Sequence, residues 1–106
     1  MTEPLVFEHD RVQLRVAHGI FELFERSNVI RTYRTPLSWV RVRAQLRKRG
    51  TVMLHFSYVV DLDEPIYAHL MSSVSSLATI EIPVTDEPLF RAFFAELAEL
   101  SNRPIG

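Results

Sequence analysis

The sequence predicts an α+β fold, mainly β: six or seven antiparallel strands in a barrel or curved sheet, capped by one C-terminal helix. Three observations carry this reading. Several segments alternate apolar and polar residues with a period of two, as a strand with one buried and one wet face requires. One stretch, Leu89 to Leu100, instead repeats apolar residues at helical spacing. Finally, 106 residues, 47% apolar and 24% charged, suit one globular domain over 1–106 and are too few for two cores.

In chain order, Leu5-Val6-Phe7 leads into a turn at His9-Asp10. From Arg11 to Val16 the alternation is clean, with Val12, Leu14 and Val16 opposed to Arg11, Gln13 and Arg15. Gly19 ends that strand or makes a turn. Ile20 to Arg26 reads either as a short helix or as a strand with a bulge, and its strand neighbours favour strand. Ser27-Asn28 has turn chemistry, so Val29 to Tyr33 returns as the second arm of a hairpin. Thr35-Pro36-Leu37-Ser38 interrupts the pattern, because proline restricts itself and the residue before it.

The clearest hairpin follows. Val40, Val42, Ala44 and Leu46 alternate with Arg41, Arg43, Gln45 and Arg47, and a turn falls at Lys48-Arg49-Gly50. The partner strand sets Val52, Leu54, Phe56 and Tyr58 against Met53, His55, Ser57 and Val59. Asp61 to Pro65 is an acidic loop, and Ile66 to Ser76 holds one short strand and a serine-rich turn. Leu77 to Val84 alternates again, its late proline tolerated where no ladder donor is needed. Thr85-Asp86-Glu87-Pro88 then has a capping side chain, early acids and an early proline, the marks of a helix start. Leu89, Phe90, Phe93, Phe94, Leu97 and Leu100 form the apolar stripe, opposite Glu87, Arg91, Glu96 and Glu99, and Asn102 and Pro104 end the helix.

This order of elements, hairpin after hairpin and then one final helix, resembles the pleckstrin-homology-like (PH-like) fold in its bacterial versions. The step Thr35-Pro36-Leu37-Ser38-Trp39-Val40 looks like the proline-leucine entry into that fold's third strand. The stretch from Ile80-Glu81-Ile82 through Pro88-Leu89-Phe90 to Leu97 looks like its last strand and capping helix. The resemblance implies a non-enzymatic module that docks proteins, other copies of itself or, in some eukaryotic members, inositol phospholipids. Phospholipid readers of the family use clustered Lys and Arg around the first hairpin. Arg11 and Arg15 lie in that region without the usual lysine and basic-x-Arg triplet, whereas Arg41-Val42-Arg43 has the triplet on a later strand.

Composition narrows the chemistry. With no cysteine there are no disulfides, thiolate metal sites or cysteine nucleophiles, which fits a reducing, cytoplasmic setting. No apolar run approaches the roughly 20 residues of a membrane span, and Met1-Thr2-Glu3-Pro4 does not begin a signal peptide. His9, His18, His55 and His69 lack metal-ligand spacing, and a meeting across strands is open only to His55 and His69. Ser72, Ser73, Ser75 and Ser76 lack a nucleophile elbow, three glycines are too few for a phosphate-cradling loop, and Asp61, Asp63 and Glu64 lack a calcium-loop spacing. The sequence thus predicts no cofactor, no metal and no catalytic residue.

The charges are unevenly spread. Residues 1–49 carry ten Lys or Arg and five Asp or Glu, a net of +5, while residues 50–106 carry two and eight, a net of −6. Such asymmetry suits a dipolar surface or a self-complementary contact. The candidate binding set is Arg41, Arg43, Arg47, Lys48 and Arg49, with Arg41, Arg43 and Arg47 expected on one face of a strand and Lys48 and Arg49 at its turn. Arginine suits bidentate contact with carboxylates or phosphates. The bland alternative is a solvated strand face. The expected partner is a protein or a second copy. Anionic lipid is a rival, and a pI near 6.4 argues against nucleic acid. A further rival is a carrier or enzyme with an apolar barrel pocket lined by Phe7, Phe21, Phe24, Phe56 and Tyr58.

Overall fold

The computed structural model describes residues 5–26, 30–59, 63–70 and 76–101. The fold is α+β and mainly β. Strands β1 (Leu5–His9), β2 (Val12–Ala17), β3 (Ile20–Arg26) and β4 (Ile30–Pro36) form an antiparallel meander in the order β1-β2-β3-β4. A 3-10 turn, Leu37–Trp39, leads to the second sheet. It contains β5 (Val40–Leu46), β6 (Thr51–Tyr58), β7 (Tyr67–His69) and β8 (Ala78–Pro83) in the order β7-β5-β6-β8. A second 3-10 turn, Val84–Asp86, precedes α1 (Glu87–Leu100).

Three expectations are corrected. The described residues form eight strands rather than six or seven, and they make two open four-stranded sheets rather than one barrel or curved sheet. Nor is the pairing wholly antiparallel, because β7 runs parallel to β5. β7 is the short, weakly patterned strand expected within Ile66 to Ser76. Its place comes from long-range bonds, such as the Val42 N–H to the Ile66 carbonyl (2.7 Å) and the Leu70 N–H to the Ala44 carbonyl (2.9 Å).

The turns follow local chemistry. His18 (φ 55°) and Gly19 (φ 74°) both lie in the left-handed region, which suits a two-residue hairpin loop. Asp10 (φ 56°) makes the preceding turn, a conformation that Asp tolerates better than most residues. The expected turn at Ser27-Asn28 and the helix end at Asn102 and Pro104 lie outside the described residues, as do Asp61, Ser72, Ser73 and Ser75.

One core joins both sheets and the helix. Leu14, Phe21 and Leu23 from the first sheet meet Val40, Val42, Leu54, Phe56 and Ile80 from the second, and Phe90, Phe93, Phe94, Leu97 and Ala98 of α1 cover them. Phe94 is the junction: its ring lies 6.2 Å from Phe21, 6.2 Å from Phe56 and 5.5 Å from Tyr67, with the last pair stacked. Leu89 and Leu100, expected in the stripe, are 49% and 63% exposed because they flank it. Glu87, expected on the wet face, is buried and accepts a hydrogen bond from the Tyr67 hydroxyl. Its position explains this: Glu87 stands three residues before Phe90 and seven before Phe94, inside the buried stripe. Asp86 occupies the N-cap without a side-chain capping bond, since its Oδ2 lies 2.8 Å from His9 Nε2. Among the described residues, no helix is long and apolar enough to cross a membrane.

Candidate functional site

The five cations singled out from the sequence divide into three groups. Arg47, Lys48 and Arg49 are exposed together at the β5–β6 turn. Arg41 is half-buried, with its Nε 3.6 Å from Glu64 Oε2. Arg43 is only 7% exposed, and its Nη1 donates to the carbonyls of Val42 (2.9 Å), Pro65 (3.2 Å) and Ile66 (3.2 Å). The expectation of a single strip along one strand face therefore gives way to a cluster at the tip. Arg43 does lie on the polar face, but the segment entering β7 covers it, and its guanidinium bridges carbonyls of β5 and of that segment. It is a structural tie.

The tip is built by short-range geometry. The Arg47 N–H donates to the Thr51 carbonyl (2.8 Å), closing a loop of Lys48, Arg49 and Gly50 in which Gly50 has φ 74°. Three-residue hairpin loops commonly need one left-handed position, and glycine supplies it without a Cβ penalty. The Val84 N–H donates to the Gly50 carbonyl (2.9 Å), which anchors the tip beside the turn before α1. An open hollow of about 680 Å³ lies between the tip and Glu81 of β8, whose Oε2 accepts from Thr51 Oγ1 at 3.1 Å. Among the described residues, Arg47, Lys48 and Arg49 make no ion pair.

Sequence reasoning missed two features of this site. Leu46, placed on the core face by its alternation, is 74% exposed although its cross-strand partner Val52 is buried. Its immediate neighbours in the chain are the only legible hint, since a strand end beside three cations has left the core. For His55 the sequence suggests only a meeting with His69, and its actual partners are others. Its Nε2 lies 2.9 Å from Gln45 Oε1, and its Nδ1 lies 2.6 Å from Ser76 Oγ. An amide oxygen only accepts, so with Gln45 so oriented Nε2 carries the proton and Nδ1 accepts from Ser76. Burial, and secondarily the nearby Arg47 charge, hold the His55 pKa below its ordinary value.

The other candidate sites are dispersed. His55 and His69 do not adjoin, because β5 stands between β6 and β7. Among the described residues, no three His, Cys, Asp or Glu side chains gather as a metal site would require. Of the aromatic residues considered for a pocket, Phe21 and Phe56 are fully buried and stacked 6.2 Å apart as core. Phe7 packs against Phe90, centroids 4.9 Å apart, Phe24 borders a surface hollow, and Tyr58 is exposed beside Trp39. Comparisons of the chain with protein-family models, curated proteins and solved structures returned no match.

Proposed function

We propose that the protein is a non-catalytic docking module, PH-like in the order of its elements, that binds an acidic protein surface through the basic tip formed by Arg47, Lys48 and Arg49. One observation carries the reading: three consecutive exposed cations, without an ion pair among the described residues, sit on a tip whose backbone is bonded across the loop and to Val84. A backbone already bonded in this turn lowers the cost of ordering the loop on binding. Arginine on either side of the lysine favours carboxylate partners through bidentate contact.

The test is fluorescence anisotropy of a labelled oligoglutamate peptide with the full chain. We expect binding that weakens in salt and disappears in Arg47→Glu plus Arg49→Glu, while Arg11→Glu plus Arg15→Glu retains it. Equal loss in both variants would reduce the effect to net charge and overturn the proposal.

Exposed Leu46 supports a second reading, an anionic membrane surface, since an apolar side chain ringed by cations suits a lipid interface. Against it, Glu81 lines the same hollow and would face anionic headgroups. Co-sedimentation with phosphatidylserine-containing vesicles, absent with phosphatidylcholine alone and lost in Leu46→Ser, would replace the protein reading with the lipid one.

A further inference from the structure

We infer that the acidic surface recognised by the tip is carried by a second copy of this chain, at the C-terminal end of α1. This inference rests on the tip being a docking surface and adds the identity of its partner.

Most acids of the described structure have a local partner. Strand register sets Glu22 opposite both Arg15 and Arg34. Glu64 lies near Arg41, Asp86 bonds His9, and Glu87 takes Tyr67 and Arg91. Glu96 and Glu99 differ. Both are exposed on the outer face of α1, and neither has a cation three or four residues away within the helix. They stand three residues apart, where like charges on a helix repel. They also occupy the last turns, where the helix dipole is negative and cations are favoured, yet the last turn has no basic residue. Arg103 follows in the sequence, outside the described residues. An incoming cluster of cations would relieve both unfavourable terms at once.

The two patches match in their apolar content as well. Leu46 borders the cations and Leu100 stands four residues from Glu96, each more than half exposed. They cannot meet within one copy. The Gly50–Val84 bond places the tip near the start of α1, whereas Glu96 and Glu99 lie nine and twelve residues beyond Glu87, about 14–18 Å along the axis. The contact therefore joins two copies, tip to helix end. It relies on exposed charge pairs, so it is weak and sensitive to salt.

Sedimentation equilibrium of the full chain tests this. Self-association is expected at low salt, weakening at least about tenfold at high salt. Arg47→Glu plus Arg49→Glu alone, and Glu96→Arg plus Glu99→Arg alone, should each be monomeric, and mixing the two should restore association by exchanging the signs of the contact. A single chain carrying all four substitutions has the wild-type net charge and the same two patches with their signs exchanged, so it should self-associate as the wild type does. If that chain stays monomeric while the oppositely charged mixture associates, the effect is net-charge attraction and the inference is overturned. A wild-type chain that stays monomeric at low salt yet binds oligoglutamate through its tip would also overturn it, leaving the docking reading intact. Loss of both would remove the two together.

Discussion

Replacing Phe94 with alanine tests the architecture most directly. The ring is fully buried and contacts the rings of Phe21, Phe56, Tyr67 and Phe93, so it joins the first sheet, the second sheet and β7 through one side chain. Truncating a buried phenylalanine forfeits its transfer energy and leaves a cavity that the surroundings only partly fill, a loss of about 3–5 kcal/mol. Against a typical domain stability of about 5–15 kcal/mol, this is a large fraction. For a chain of this size it corresponds to a fall in Tm of roughly 12–25 °C. The control is Leu100→Ala, 63% exposed near the end of the same helix, expected to change stability by no more than about 0.5 kcal/mol. Thermal and urea unfolding followed by far-ultraviolet circular dichroism measures both, and an unchanged urea slope assigns the effect to the native state. If Phe94→Ala melts within a few degrees of wild type, or Leu100→Ala costs as much, then the helix does not close the core as described.

Three further outcomes follow from the polar contacts. Arg43→Met keeps the length of the side chain but removes the donor to the Pro65 and Ile66 carbonyls, so unfolding should show a loss of about 2–4 kcal/mol, and amide exchange should show β7 opening first; a neutral result would contradict the tie. Tyr67 is buried and donates to Glu87, and both burial and that carboxylate raise its pKa far above its ordinary 10.0. The folded state then keeps a proton that the unfolded state releases, so the contribution is complete below pH 10.0 and declines as pH rises above it; Tyr67→Phe should remove that part of the alkaline slope in urea denaturation. For His55, burial first and Arg47 second depress the pKa, so its contribution is present above the ordinary value of 6.5 and lost as pH falls below it. An NMR titration should place the imidazole below 6.5 and show it moving upward in Arg47→Gln; no movement would mean that the Arg47 charge is not felt there.

Elements whose signals are local are legible in the residues alone. Alternation marked Val12 and Leu14, Val40 to Ala44 and Val52 to Phe56 as inward-facing, and helical spacing marked Phe90, Phe93, Phe94 and Leu97, because side-chain direction follows backbone period alone. Gly50 announced the tight turn that brings Arg47, Lys48 and Arg49 together. Tertiary structure decided what lies over each face. Arg41, Arg43 and Arg47 have the same period, yet one is ion-paired, one is roofed by the entry to β7 and one reaches solvent, according to a segment more than twenty residues away. The parallel placement of β7, the diversion of Asp86 to His9 and the exposure of Leu46 are likewise products of contacts distant in the chain. A residue's facing is a property of its own strand or helix; its burial depends on whichever other part of the chain packs there, and no local pattern carries that information.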